Sequence, residues 1–580
     1  MKKTVIVALF GLASLHVLAG TPYSVLSGST LTFYCDDAMQ GRSGTKYDLT
    51  YVDDMPKWST KAATVTTVQF DPSFAEARPE NGACWFYGMT ILTSITGMEH
   101  LNTSAMTLMT GMFCNCKKLQ SVDVSHFDTS NVTDMMSMFE GCNVLTALNL
   151  RSFDTHNVDN MGRMFSNCWN LAQLNVGHFD TSKVVRMNSM FNCCFQLTTI
   201  DVSGWDVSSV GTMNSMFYDC INLTTIDVSH WRTDALVNIG YVFNGCEKLQ
   251  VIDVSGWDVS QVSNSHYAFN GCTKVRTLNV GAWDTHLFDD TSYMFNNCKS
   301  LQTLDVSGWD ISSVTAMEYM FHGCAALTAL DVSGWKTIGV TTMQEMFSGC
   351  SSLAVLDVSR FDTSTVTVMV SMFSGCSSLT EIDVSNWDVS HVTSLSYVFN
   401  GCSSLAEVDV SGWNTWRITS LMYMFHGCCS LNSLDLSRWN MSKITYSNDF
   451  LSGCTALQSL SIPSTATTLT TSACSGVGTA EKPCLLVVPE GFAFPEDVDP
   501  YETPFTWCSG YFTLGITARM GDVNVDGKIN VSDIMLTVNY ILGDESNTKF
   551  HKKYADMNGD DQITVTDIMR IVNIILKIKD

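Results

Sequence analysis

Residues 220–246 read CINLTTIDVSHWRTDALVNIGYVFNGC, and the closing words IGYVFNGC (239–246) echo MNSMFYDC (213–220) one period earlier. A cysteine falls at 116, 142, 168 and 194, then every 26 residues up to 454, so fourteen of the 22 cysteines share one register. Self-similarity at a fixed period of this size marks a chain that coils, each repeat being one supersecondary unit stacked on the next. Number every repeat from its cysteine as position 0. Position 3 is Leu in thirteen of the fourteen repeats (Val275 is the exception), position 6 is Leu, Ile or Val, and position 8 is mostly Val. Position 11 is Trp or Phe from Phe127 to Trp439, position 23 is Phe from Phe139 to Phe425, and positions 19 and 22 favour Met.

The pattern L-x-x-L/I-D-V gives one short strand per coil and is a leucine-rich-repeat strand signature. The M-x-x-M-F spacing that follows suits a 3₁₀ or short helical segment on the opposite side. One coil leaves two flat apolar faces bare, so only stacking makes it stable, and both ends of the stack need polar caps. The expected fold is a leucine-rich-repeat-type solenoid of about 15 coils over residues 86–460, with one short parallel strand per 26-residue coil. The count includes a degenerate first coil at Phe86, Met89, Leu92 and Ile95. Residues 20–85 and 461–515 lack the period and read as the two caps.

Stacking also bears on the cysteines. Successive position-0 side chains point inward in parallel, about 4.8 Å apart along the stack, which keeps their Cβ atoms farther apart than a bridge prefers. A free thiol is among the most readily buried side chains, so the on-register cysteines read as an inert ladder. Zinc spacings of the C-x₂-C and H-x₃-H kind are missing. Cys474 and Cys484, off the register and flanking a loop, are the better candidates for a disulfide.

Net charge is −25 with 15% charged residues. No Lys/Arg cluster appears, which argues against nucleic acid as a partner. Lys2 and Lys3, the apolar run Val5 to Leu18, and Val17-Leu18-Ala19 before Gly20 form the three regions of a secretory signal peptide, residues 1–19. That run is too short to span a bilayer. A secreted or extracellular protein with no membrane span is expected.

The surface of the coils offers two columns of carboxylates and one of tyrosines. Position 7 is Asp in ten coils and Asn in three, and position 12 is Asp in nine. Asp two residues before Ser is turn-capping chemistry, and that is the reading for position 12. For position 7, structural hydrogen bonding stands beside a cation-binding face. Tyr241, Tyr267, Tyr293 and Tyr319 occupy position 21 in four consecutive coils, and Tyr397 and Tyr423 return later. Pointing outward, they would form a flat amphipathic strip suited to a protein or sugar. The alternative is that Tyr stacks on Tyr for stability alone.

At Gly521 the period is gone. Asp522, Asn524, Asp526, Lys528, Asn530 and Asp533 stand at positions 1, 3, 5, 7, 9 and 12 of an EF-hand-like loop, with Gly527 at the sharp turn and Lys528 contributing its carbonyl. Thirty-four residues on, Asp556, Asn558, Asp560, Gln562, Thr564 and Asp567 repeat the set. Each loop runs into an apolar helix, and calcium is the expected ion. Asp561 stands where Gly belongs, which weakens the second of the two sites.

The words MFxGCxxLxxLDVSxWDxSxVxxM, with LTFYCDD, FDPSF and WFYGMTILTSITGMEHLNTS before them, resemble BspA-type leucine-rich-repeat surface proteins of bacteria over about residues 30–515. That resemblance implies an extracellular, non-enzymatic binding or adhesion protein and supplies no ligand. The paired Asp-closed loops at the C-terminus resemble a dockerin over residues 516–580. This implies a calcium-ordered helical module that docks onto a cohesin domain of another protein. Val531, Ser532, Val565 and Thr566 fall at that family's partner-contact positions. An enzyme on a parallel β-helix, such as a polysaccharide lyase delivered by the dockerin, is the alternative. It needs a local acid–base cluster that breaks the repeat, and no G-x-S-x-G or H-E-x-x-H is present. A passive spacer is the third reading.

Overall fold

The computed structural model describes residues 20–489, 492–500, 502–516, 520–524, 528–543, 550, 552–558, 560 and 562–576. The proposed leader, residues 1–19, lies outside the described residues. The chain divides into two compact units, Met1–Ala235 and Leu236–Asp580.

The first unit opens with a cap. Strands β1 (Pro22–Ser27) and β2 (Thr30–Cys35) form a hairpin, and β3 (Thr45–Asp48) pairs antiparallel with β1. On its other side β2 pairs in parallel with β4 (Thr67–Phe70), and β4 in parallel with β5 (Ser94–Thr96). Parallel coiling therefore begins before the sequence period does, and the coils number about 17 rather than about 15. Beneath this sheet Phe33 stacks on Phe70 and on Trp85, with ring centroids 4.8 and 5.2 Å apart, and Trp58 donates its indole N–H to the Trp85 carbonyl at 2.7 Å. The aromatic plug meets the coils at Phe86, whose ring lies 5.2 Å from Phe113.

From there each coil repeats one set of contacts. The strand side is short, one to three residues, as in Ala147–Leu148 beside Gln173–Leu174. The Asp at position 7 ends it: the Asp201 carboxylate accepts the N–H of Ser203 at 3.2 Å and its hydroxyl at 2.8 Å, turning the chain. On the opposite side the expected 3₁₀ character survives only as separate turns. Met138 N–H bonds Met135 carbonyl and Cys142 N–H bonds Phe139 carbonyl, both i→i−3, while the alternate N–H groups of Met135, Ser137 and Phe139 reach the next coil at Asn160, Gly162 and Met164. Residues at positions 21 and 25 are left-handed, as at Ser137 (φ 57°) and Gly141 (φ 71°), and they break the helix after each turn. A side chain at Gly141 would also meet Asn115 Oδ1 at 2.7 Å.

The interior shows why Cys, Trp and Thr stand where they do. The Phe113 carbonyl accepts the N–H of Cys116 and also the S–H of Cys142, from the next coil, at 3.3 Å. The Val176 carbonyl accepts the N–H of Phe179 and also the indole N–H of Trp205 at 3.0 Å. Thr129 Oγ1 donates to the Asp154 carbonyl at 2.8 Å and accepts the Asp154 N–H. Three corners of each such coil thus carry a side-chain donor that satisfies a carbonyl of its neighbour, where an unpaired carbonyl would be costly.

In the second unit the same contacts recur. Cys272 donates to the Phe243 carbonyl at 3.3 Å and Cys324 to the Phe295 carbonyl at 3.2 Å, and Trp283, Trp309 and Trp335 bond the Val254, Val280 and Val306 carbonyls at 3.0–3.1 Å. Phe rings from Phe243 to Phe425 stack with centroids 5.4–6.0 Å apart. The coils close in a five-stranded sheet. Strands β6 (Ser433–Asp435), β7 (Ser459–Ser461), β8 (Cys484–Val488) and β10 (Gly510–Ile516) run parallel, and β9 (Phe505–Trp507) turns antiparallel onto β10 at the edge. Helices α1 (Val531–Ile541), α2 (Lys552–Ala555) and α3 (Val565–Leu576) follow around a small core of Val523, Ala555 and Ile571.

Candidate functional site: the paired loops and the coil surface

The C-terminal loops are built around their closing aspartates. Asp533 is fully buried at the third position of α1. Its Oδ1 accepts the N–H of Val523 at 2.8 Å and of Asn524 at 3.3 Å, and its Oδ2 accepts the N–H of Asn530 at 2.9 Å. Asn530 caps the helix by accepting from Ser532 N–H at 2.8 Å. The second loop repeats this chemistry: the fully buried Asp567 accepts from Met557 N–H and Thr564 N–H, each at 2.8 Å. One carboxylate therefore staples the start of each loop to its end.

Asp522 and Asp556 are also at least nine-tenths buried. Each loop therefore carries two buried carboxylates, oxygen donors of the kind a hard divalent cation takes. Asn524 and Asn530 are partly buried in the first loop, as are Asn558 and Thr564 in the second, while Lys528, Asp560 and Gln562 are exposed. Asp526, Gly527 and Asp561 lie outside the described residues. In the second loop the side chains bond one another: Asn558 Nδ2 donates to Asp560 Oδ2 at 2.7 Å, and Asp560 N–H to Asp556 Oδ1 at 3.2 Å. Among the described residues no three His, Cys, Asp or Glu side chains gather closely enough to hold an ion. By type and burial, Asp522, Asn524, Asn530 and Asp533 in the first loop and Asp556, Asn558 and Asp567 in the second are the residues that would hold a calcium ion.

Val531, Ser532, Val565 and Thr566, at the head of the two long helices, are exposed, the valines at 64% and 66%. Met535 and Met569, one turn further on, are exposed as well, and the sequence reading had passed over them. Their equivalent spacing from Asp533 and Asp567 was the available signal.

On the coils, Tyr241, Tyr267, Tyr293 and Tyr319 stand together as expected but offer edges instead of a flat strip. Their rings stack with centroids 4.7, 4.3 and 4.5 Å apart and planes within 11° of parallel, so each face covers its neighbour. All four residues are left-handed, with φ between 57° and 59°. At the far end Tyr319 donates its hydroxyl to Glu345 Oε1 at 2.9 Å and accepts from Gln344 Nε2, while His322 Nδ1 lies 3.2 Å from Glu345 Oε2. Burial holds the phenols of Tyr267, Tyr293 and Tyr319 above their ordinary range. The strand face carries a concavity of about 640 Å³ lined by Asp357, Asp383, Asp409, Glu381 and Glu407 with aliphatics between them.

The position-7 and position-12 aspartates are turn caps. Ser333 N–H reaches Asp331 at 3.0 Å and Ser364 N–H reaches Asp362 at 3.0 Å, and the serine hydroxyls bond the same oxygens. These bonds, the side-chain one first, hold both carboxyls below their usual range. The ladder cysteines are buried free thiols, and burial pushes Cys168, Cys272 and Cys376 up to about 12. All 22 cysteines are free thiols in this structure, and the nearest thiol acting on Cys474 is that of Cys508, ahead of the Cys484 expected as its partner.

The coils define a leucine-rich-repeat-type solenoid, followed by a small helical module built on two Asp-closed loops. A family model described as "Mycoplasma protein of unknown function, DUF285" matches residues 83–196, 167–277, 266–380 and 341–465, and the chain belongs to that BspA-like family. A second, described as "Dockerin type I domain", matches residues 520–576. No curated protein matches the chain. Among solved structures, a leucine-rich repeat protein from Bacteroides ovatus is 14% identical, with 85% of this chain and 98% of that one covered and a TM-score of 0.29. One from Eubacterium ventriosum is 16% identical (74% and 92% covered, TM-score 0.26), and a leucine rich cell surface protein from Faecalibacterium prausnitzii is 14% identical (69% and 96%, TM-score 0.25). At such scores the superpositions say nothing about ligands. Among the described residues no helix is long and apolar enough to cross a membrane.

Proposed function

We propose that the protein is a secreted, non-enzymatic binding protein. Its coil surface engages a protein or glycan ligand, and its C-terminal module docks it, in a calcium-dependent way, onto a cohesin-bearing assembly at or beyond the cell surface. The observation that carries this reading is the equivalence of the two loops. Val523 N–H to Asp533 and Met557 N–H to Asp567 are the same bond at the same 2.8 Å, and both loops lead into an exposed Val followed by an exposed hydroxyl residue. A cation bound against these carboxylates would fix the heads of α1 and α3, and with them Val531, Ser532, Val565 and Thr566. Two ions are expected, the second held more weakly because Asp561 replaces a turn glycine. On the coils, the Tyr241–Tyr319 edge and the carboxylate-lined concavity are the surfaces offered to a ligand.

The test is capture of the full chain by immobilised cohesin domains in millimolar calcium and again in EDTA. Retention in calcium with release in EDTA is expected. Equal capture in both buffers, or none against any cohesin tried, would remove the docking reading.

A further inference from the structure

The hairpin β9–β10 closes the open end of the parallel sheet, and its turn is Cys508–Ser509, both residues left-handed (φ 50° and 64°). That turn is pressed against residues 474–477. Cys474 N–H donates to the Cys508 carbonyl and Tyr511 N–H to the Val477 carbonyl, each at 2.9 Å. A Cβ added at Gly510 would sit 2.9 Å from the Cys474 carbonyl oxygen, so a side chain there would clash with the contact. A direct N–H···O=C pair holds two residues with their Cα atoms roughly 5–6 Å apart, inside the window a disulfide spans. The Cys508 thiol is also near enough to be the first cause that raises the Cys474 thiol above its ordinary range. This differs from the ladder, where each sulfur of the coils around Cys324 and Cys350 bonds a phenylalanine carbonyl. It differs from Cys484 too, whose sulfur lies 3.8 Å from the Leu485 carbonyl.

We propose that Cys474 and Cys508 form a disulfide that ties the capping hairpin to the last turn of the coil stack. The half-exposed Cys508 reacts first. Its thiolate attacks one sulfur of a small-molecule disulfide such as oxidised glutathione, forming a mixed disulfide and expelling one glutathione thiolate. Cys474 then gives up its proton to solvent and attacks the Cys508 sulfur, expelling the second thiolate. Two protein thiols lose two electrons, and one glutathione disulfide becomes two thiols. The Cys508 thiol and desolvation both raise Cys474 in the reduced protein, and once Cys508 is in the mixed disulfide desolvation still disfavours the Cys474 thiolate, so closure is the slower step. Solenoids fray from their ends, so a bond here protects the cap and the stretch between β8 and β9 from local opening. In the cell the oxidant depends on the proposed secretion. The experiment supplies its own, so the two ideas fail separately.

Reduced full-length protein is incubated with oxidised glutathione, alkylated, and digested without reduction. The expected result is one cross-link, joining the Cys474 and Cys508 peptides, with those two thiols lost to it and any glutathione on the exposed Cys429 remaining an uncross-linked adduct. Cys484→Ser should keep the cross-link and Cys508→Ser should lose it. Oxidised wild type should resist proteolysis between residues 488 and 505 several-fold longer than Cys508→Ser. Retention of all 22 thiols, a glutathione adduct on Cys508 that never closes, or a Cys474–Cys484 link would overturn the proposal. Equal proteolysis of the two proteins would overturn the protective role.

Discussion

Aspartate is used in two ways in this chain. In the coils, Asp331 is exposed and accepts from Ser333, two residues away. In the C-terminal loops, Asp533 is fully buried and accepts from Val523, ten residues back. Both accept backbone N–H groups at a turn, and a one-dimensional motif hardly separates them. Burial does. An exposed carboxylate satisfied by its own turn keeps its remaining lone pairs in water and gains little from a cation. A buried one satisfied only by N–H groups keeps its charge in a poorly polarisable core, where a divalent ion is the efficient offset.

The largest effect should come from breaking the loop side of that contrast. Asp533→Ala strips an acceptor from three backbone N–H groups and removes the closing ligand. Calcium affinity of the first loop should fall by at least about 100-fold, or about 2.7 kcal/mol. Titration calorimetry should then find one tight site fewer, and Asp567→Ala should do the same to the second, weaker site. If both variants still bind two ions with unchanged affinity, the buried aspartates are structural staples alone.

An intermediate effect is expected on the coil side, where stability comes from neighbours one period away. Tyr293→Ser removes two stacked-ring contacts, a loss of roughly 1–3 kcal/mol. The backbone already accepts serine there, since Ser137, Ser189 and Ser215 hold the same left-handed position with φ of 56–57°. Urea unfolding measures the change, with Tyr397→Ser, whose ring stacks only on Tyr423 at 4.9 Å, giving about half. A change below a few tenths of a kcal/mol would leave the tyrosines free for a purely external role.

What the sequence made legible was whatever repeats within one coil. Leu at position 3, Val at 8 and Phe at 23 alternate inward because side-chain direction is a local property of strand and turn, and all are buried. Asp-x-Ser turns and the Asp-closed loops are local in the same sense. Contacts between coils were not legible, because the donor and acceptor lie 25 to 29 residues apart and meet only once the stacking register is known. Cys and Trp therefore read as plain apolar filling, although each also donates a hydrogen bond. Position 21 read as a helical surface, because nothing in Tyr announces a left-handed backbone. Coiling within the caps was hidden for a further reason. Strands β4 and β8 pair through backbone groups, and any sequence of suitable burial can do that without keeping the period.

The smallest effect sharpens the comparison from the exposed side. Asp331→Ala should cost about 1 kcal/mol or less, since both of its bonds to Ser333 are exposed to water. Asp331→Asn should be near neutral, since Asn149, Asn175 and Asn279 already serve at that position. Hydrogen bonds from the following serine, or at Asp154 from the following histidine, hold Asp123, Asp331, Asp357, Asp154 and Asp362 below the ordinary carboxylate range. A depressed folded-state pKa stabilises above the unfolded value of about 4 and loses that contribution as pH falls through the folded values. Coil stability measured by urea should therefore be level from neutral pH to about 5 and decline below 4, less steeply in Asp331→Ala. Calcium should leave that profile unmoved in the Asp533→Ala, Asp567→Ala double variant. If calcium raises coil stability in that variant, the position-7 column binds cations after all, and burial is the wrong criterion for telling the two sets of aspartates apart.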